Sequence, residues 1–325
     1  MIRAVLLASC MAISARAEPV LSLAGTLPAS GDYGLVLSAI DGLGAKATSL
    51  TLFWDDLERE GRYVADPDWP AIAEAVYPAR GLALHLTISV IDTVADRRPD
   101  DLRAFAWDDP RVAARFARFV DEVLSRMPRT RLLTLVIGNE VDGHLAGADW
   151  ERYGRFFDAA RRHVRTARPD LPVSVTLTWP GLRDLPEARA LAMRGDTLSV
   201  TWYPSGPGFD FGAPVDAGAE LDAMIRLAAP RPVDLAEIGF PSAGCGSSPA
   251  RQGDVLSAIL TEATARDAVR LVQLVWSHDI AASEVAEYAG YYGVPDPCFA
   301  AYLGSLGLRT ADDVPKPAFD RLAAR

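Results

Sequence analysis

Eight near-continuously apolar segments recur along the chain, at residues 20–24, 48–53, 82–90, 132–137, 173–178, 198–202, 233–238 and 269–276. Between them lie stretches with helical spacing, at 30–42, 70–80, 112–126, 149–168, 219–228 and 252–265. Strands that read as unbroken apolar runs belong to a parallel sheet buried on both faces and covered by helices. Eight of them in alternation with helices specify an α/β fold, a single (β/α)8 TIM barrel, rather than an open doubly wound sheet. No Gly-x-Gly-x-x-Gly follows an early strand, so the chain lacks a dinucleotide fingerprint and no cofactor is expected. The barrel domain is expected over 18–325, because no linker or low-complexity run divides it.

Residues 1–17 read as a signal peptide: a short basic start, an apolar run to Ile13, and Ala15-Arg16-Ala17 before Glu18. A second reading is lipid attachment at Cys10, in Leu7-Ala8-Ser9-Cys10. No later stretch is long and apolar enough to cross a bilayer, so a secreted or periplasmic protein is expected. Its cysteines are then Cys245 and Cys298, each in a loop marked by Gly or Pro after consecutive strands, and a disulfide between them fits an oxidising compartment. The alternative is two unrelated buried thiols. The formal net charge of −10 argues against nucleic acid and anionic membrane surfaces as partners, and the chain is expected to be a monomer.

The carboxyl ends of barrel strands are where chemistry is placed. Those ends carry Trp54, Asp55 and Asp56; Asp92; Asn139 and Glu140; Trp179; Trp202 and Tyr203; Glu237; and Trp276, His278 and Asp279. Trp54, Trp179, Trp202 and Trp276 offer flat apolar faces beside carboxylates and amides, a combination that suits sugar rings; the alternative is that they fill the barrel mouth. His278 is a candidate lining residue. His85 lies inside the third strand, where an interior, hydrogen-bonded histidine is expected, and His163 lies on a helix, where a solvated one is expected. The four histidines do not cluster, so no metal site is expected. Glu140 and Glu237, 97 residues apart, each follow a buried apolar run. Two carboxyls across one pocket are the minimum equipment for cleaving a glycosidic bond: one donates a proton to the leaving oxygen while the other is ionised.

These residues carry a resemblance. Gly138-Asn139-Glu140-Val141 is similar to the fourth-strand motif of the clan A retaining glycoside hydrolases, and Glu237-Ile238-Gly239-Phe240-Pro241-Ser242 resembles the seventh-strand motif of plant-type β-1,3-glucanases. The same stretch resembles, more loosely, that of endo-β-1,4-galactanases. Trp54-x-x-x-Glu58-x-x-Gly61-x-Tyr63 and Lys316-Pro317-Ala318-Phe319 are similar to other segments of the clan. The resemblance implies Glu140 as general acid/base and Glu237 as nucleophile. It further implies Asn139 on the sugar 2-hydroxyl, Tyr203 donating to the nucleophile, and Trp276 under the sugar ring. The sequence departs from the clan in three ways. No arginine closely follows the second strand, Arg59 lying further along the loop; Phe240 stands where Trp is usual; and Asp142 and His144 match no pattern. The expected function is hydrolysis of a β-linked oligo- or polysaccharide by double displacement. A transglycosylase, or a carbohydrate-binding barrel without turnover, are the alternatives.

Overall fold

The computed structural model describes residues 18–64 and 66–325. The signal peptide and Cys10 fall outside the described residues. Eight parallel strands close into a barrel: β1 Val20–Leu23, β2 Ala47–Phe53, β3 Ala83–Asp92, β4 Leu132–Asn139, β5 in two parts, β6 Leu198–Trp202, β7 Val233–Ile238 and β8 Val269–Leu274. The two parts of β5 are Val173–Ser174, which pairs with β4, and Thr176–Thr178, which pairs with β6. β1 pairs with β8 from Val20–Leu271 to Leu23–Leu274, completing the ring.

Helices α1 Tyr33–Gly42, α2 Trp69–Val76, α3 Pro110–Ser125, α4 Asp149–Ala167, α5 Pro186–Ala192, α6 Ala217–Ala228 and α7 Pro249–Thr264 cover the outside. Side chains set their starts. Asp32, Asp68, Asp109, Asp216 and Ser248 each accept a backbone N–H of the first turn, satisfying donors that the helix itself leaves free. α3 buries Val112, Phe116, Phe119, Val120 and Val123 on one face, as its apolar spacing predicts. α5 lies between β5 and β6, a stretch without recognisable helical spacing. After β8 come α8 Ala282–Tyr292, α9 Pro297–Leu303 and α10 Pro317–Ala323, of which the first two form part of the barrel mouth.

The barrel interior is more polar than the apolar strand runs suggest. Asp234, fully buried, accepts from Arg270 Nε at 2.9 Å and from the hydroxyls of Thr134 and Thr197 at 3.0 Å. A buried carboxylate is tolerated when paired and hydrogen-bonded in this way. Among the described residues no helix is long and apolar enough to cross a membrane.

Two of the sequence motifs prove to be structural ties. The Trp54 indole donates to Glu58 at 3.0 Å, Gly61 N–H donates to Glu58 at 2.6 Å, and Arg115 pairs with the same carboxylate. Lys316, buried, reaches Asp279 at 2.6 Å and the Ser242 hydroxyl at 2.8 Å, binding the C-terminal segment to the exits of β7 and β8.

Candidate active site

β4 and β7 deliver Glu140 and Glu237 to one cleft of about 550 Å³ at the carboxyl end of the barrel. Gly138 makes the exit from β4 workable. Its φ of +84° and a Cβ position that would press on the Tyr153 hydroxyl and Val141 exclude a side chain. Glu140 itself is held in the left-handed region, φ 45° and ψ 45°, a conformation that costs a non-glycine residue energy and concentrates at functional sites. Its carboxylate accepts from Thr201 Oγ1 at 2.6 Å and from Thr93 Oγ1 at 2.8 Å.

Glu237 accepts a hydrogen bond of 2.5 Å from the Tyr203 hydroxyl. Gly239 permits that approach, because a Cβ there would stand 2.6 Å from the Tyr203 ring. The Asn139 amide donates to Asp92 Oδ1 at 3.4 Å and lies in hydrogen-bonding reach of Glu237 as well. Asp92 is in turn fixed by the Tyr291 hydroxyl at 2.9 Å.

Both carboxyls are pushed above the usual carboxylate range. For Glu237 burial is the larger cause and the negative charge of Glu140 the next, taking it up to about 8. For Glu140 burial again leads, opposed by the two threonine hydroxyls and reinforced by Asp142 and Asp92. Among the described residues no ion pair reaches either glutamate, so no cation offsets this. Two like charges in one buried cleft titrate as a unit.

The remaining expected site residues divide. Asn139, Tyr203 and Trp276 line the cleft with the two glutamates. Trp54 does not: it is fully buried against Phe116 and Phe119, its indole spent on Glu58. His278 is also fully buried, its ring spent on Thr26 O at 3.1 Å and Asp313 at 2.9 Å. Trp179 and Trp202 are nearly buried and border a separate hollow of about 130 Å³. His85 is interior, but its Nδ1 has no protein partner, and His163 pairs with Asp121 at 2.7 Å rather than with water alone. Asp142 accepts from the backbone N–H and the hydroxyl of Thr178, at 2.9 and 2.6 Å, tying the Glu140 turn to the exit of β5.

The cleft also has an aromatic wall that the strand-end residues do not reveal. Tyr292, Phe299 and Tyr302 from α8 and α9, with Phe209 and Phe211 from the loop after β6, line the cleft beside Glu140. A disulfide between Cys245 and Cys298, Cα–Cα 5.5 Å, anchors α9 to the loop after β7. The signal was present in the run Tyr288, Tyr291, Tyr292, Phe299, Tyr302, whose density of aromatics exceeds any other stretch after β8. Among the described residues no cluster of metal-ligating side chains occurs.

No family model and no curated protein matches the sequence. Solved structures do resemble the fold. GH5_18 from Streptomyces cattleya, in complex with GlcNAc, superposes with a TM-score of 0.71 at 19% identity, over 94% of this chain and 79% of that one. GH5_18 from Bifidobacterium longum subsp. longum ATCC 55813 gives 0.73 at 16% identity, over 95% and 78%. An exo-β-1,4-mannosidase from Opitutaceae bacterium strain TAV5 gives 0.68 at 16% identity, over 94% of this chain and 58% of that one. At these identities the likeness is one of fold, and the fold shared across nearly the whole chain is the (β/α)8 barrel.

Proposed function

We propose that the chain is an exported retaining β-glycoside hydrolase in which Glu140 is the general acid/base and Glu237 the nucleophile. The observation that carries this reading is the pairing of two carboxyls from opposite strands in one cleft, both raised by burial. The barrel enzymes it resembles, among them a β-1,4-mannosidase, support the same reaction class, and the leader-like segment with the disulfide supports export.

In the first step a Glu237 carboxylate oxygen bonds to the anomeric carbon as the glycosidic C–O bond breaks. The Glu140 proton passes to the leaving oxygen. In the second step Glu140 takes a proton from water, the water oxygen bonds to the anomeric carbon, and the glycosyl ester to Glu237 breaks. Tyr203 and Asn139 donate to Glu237 and favour its charged form. The Thr93 and Thr201 hydroxyls accept as readily as they donate, so they serve Glu140 in either protonation state. Asp142 and Asp92, both close enough to raise Glu140, favour its proton-carrying form. Trp276, facing the cleft beside Glu237, is suited to the face of the sugar in contact with the nucleophile.

A panel of activated aryl β-glycosides tests the reading. Turnover that is lost in both Glu140→Gln and Glu237→Gln, and regained with azide in Glu140→Ala, supports it. Binding without turnover, unaffected by either substitution, would instead support a carbohydrate-binding barrel.

A further inference from the structure

A second cavity, of about 570 Å³, begins at Glu237, Asn139 and Trp276 and ends outside the barrel at Leu27, Tyr33, Trp69 and Ile72. It passes through the wall between β1 and β2. The cause is strand pairing: β1 and β2 meet in one register pair, Ser22–Ala47, whereas β2 and β3 meet in seven. Past Thr48, whose hydroxyl still reaches Leu23 O at 2.9 Å, β1 has ended and leaves β2 uncovered, so that Thr51 within β2 is exposed.

The lining changes character along its length. The part inside the barrel is polar, with Ser49, Thr51, His85, Thr87 and Gln273. His85 is buried there, its Nδ1 without a protein partner, which leaves a donor or acceptor for an oxygen in the cavity. The outer end is apolar. Leu27 is 50% exposed, Trp69 48%, Ile72 42% and Tyr33 36%, so four of the exposed large hydrophobic residues gather at one mouth. Contiguous exposed apolar surface of this kind marks a binding site more often than a bare surface. The Tyr33 and Tyr77 hydroxyls bond to each other at 2.7 Å, so the mouth presents their rings rather than free hydroxyls.

The direction of the cavity follows from which glutamate it meets. Glu140, the proton donor to the leaving group, lines the aromatic cleft and not this channel, while Glu237 lines both. The channel therefore lies on the side of the sugar that is transferred to Glu237. An oligosaccharide would be held there only by stacking on Trp69 and Tyr33, whereas Leu27 and Ile72 offer its hydroxyls no partner.

We propose that this channel binds an acyl chain carried by the transferred sugar, so that the enzyme acts on amphiphilic, acylated glycosides. The ester oxygens would lie among His85, Thr87 and Gln273, and the hydrocarbon would lie against Trp69, Ile72 and Leu27. This inference rests on the hydrolase reading for the identity of the sugar end, and the channel can be tested without turnover.

The experiment compares 4-nitrophenyl β-D-glucopyranoside and β-D-mannopyranoside, each bare, 6-O-acetylated and 6-O-octanoylated. We expect KM for the octanoyl ester to be at least tenfold below that for the acetyl ester. In the surface double variant Trp69→Ser/Ile72→Asp, whose melting temperature checks its folding, that ratio should fall to within twofold. Equal KM values for the two esters, or a preference that survives the double variant, would overturn the proposal. Should none of these glycosides be turned over, the hydrolase reading is decided by the wider aryl β-glycoside panel, and calorimetry with methyl 6-O-octanoyl and 6-O-acetyl β-D-glucosides decides on the channel alone. Octanoyl-selective binding that depends on Trp69 and Ile72 supports it, and its absence refutes it.

Discussion

The Tyr203 hydroxyl donates a 2.5 Å hydrogen bond to Oε2 of Glu237, and this contact opposes the burial that pushes the same carboxyl upward. It joins the exit of β6 to that of β7, and only a glycine at 239 leaves room for the ring.

Tyr203→Phe removes the donor and keeps the ring. A hydrogen bond to a charged group contributes about 1.5–3 kcal/mol, so kcat/KM should fall by roughly 10–100-fold. Because the bond favours the charged form of Glu237, its loss should also move the acid limb of the pH profile, set by ionisation of the nucleophile, upward. Steady-state kinetics across pH on an aryl β-glycoside measures both.

The pH dependence should be bell-shaped. Activity needs one proton on the pair, so it falls at low pH when both carboxyls are protonated. It falls again at alkaline pH, where the proton carried by Glu140 leaves; burial holds that limb above the usual carboxylate range. A profile still rising beyond pH 9 would contradict a need for that proton.

Stability should follow the same groups. The folded pKa of Glu237 lies above its unfolded value, so the stability it contributes is fully present below the unfolded pKa, about 4.3. It is lost as pH rises through about 8. Glu237→Gln removes the ionisation. Its melting temperature should match wild type near pH 4 and exceed it at pH 8, with about 2–4 °C for each kcal/mol in a domain this large. Thermal denaturation at the two pH values provides the check.

Cys245→Ser/Cys298→Ser opens a closed loop of 53 residues' separation. Loss of such a cross-link costs about 2–4 kcal/mol. Because Phe299 and Tyr302 ride on the anchored helix and wall the cleft beside Glu140, KM should rise as well. Denaturant unfolding and kinetics on the double variant measure the two effects.

The barrel and the two glutamates were legible because both depend on local pattern. Leu132–Asn139 and Val233–Ile238 are apolar runs that end at Glu140 and Glu237, and strands of a closed parallel barrel all end on the same rim. Side-chain direction is not local. Trp54 and His278 end strands as Trp276 does, yet Trp54 turns outward under α3 to meet Glu58, and His278 turns into contacts with Thr26 and Asp313. The polar interior around Asp234 and the seam between β1 and β2 depend on register, which forms only when distant strands pair. The aromatic wall is not legible in the same way, because α8 and α9 follow the last strand, where the alternation of strands and helices specifies nothing.

The most direct measurement is mass spectrometry of the protein after incubation with 2,4-dinitrophenyl 2-deoxy-2-fluoro-β-glycosides of gluco, manno and galacto configuration. Such compounds stall double displacement at the glycosyl ester. The account predicts one added glycosyl mass on the peptide containing Glu237, absent from Glu237→Gln. Label on any other residue, with Glu237 left free, would contradict it.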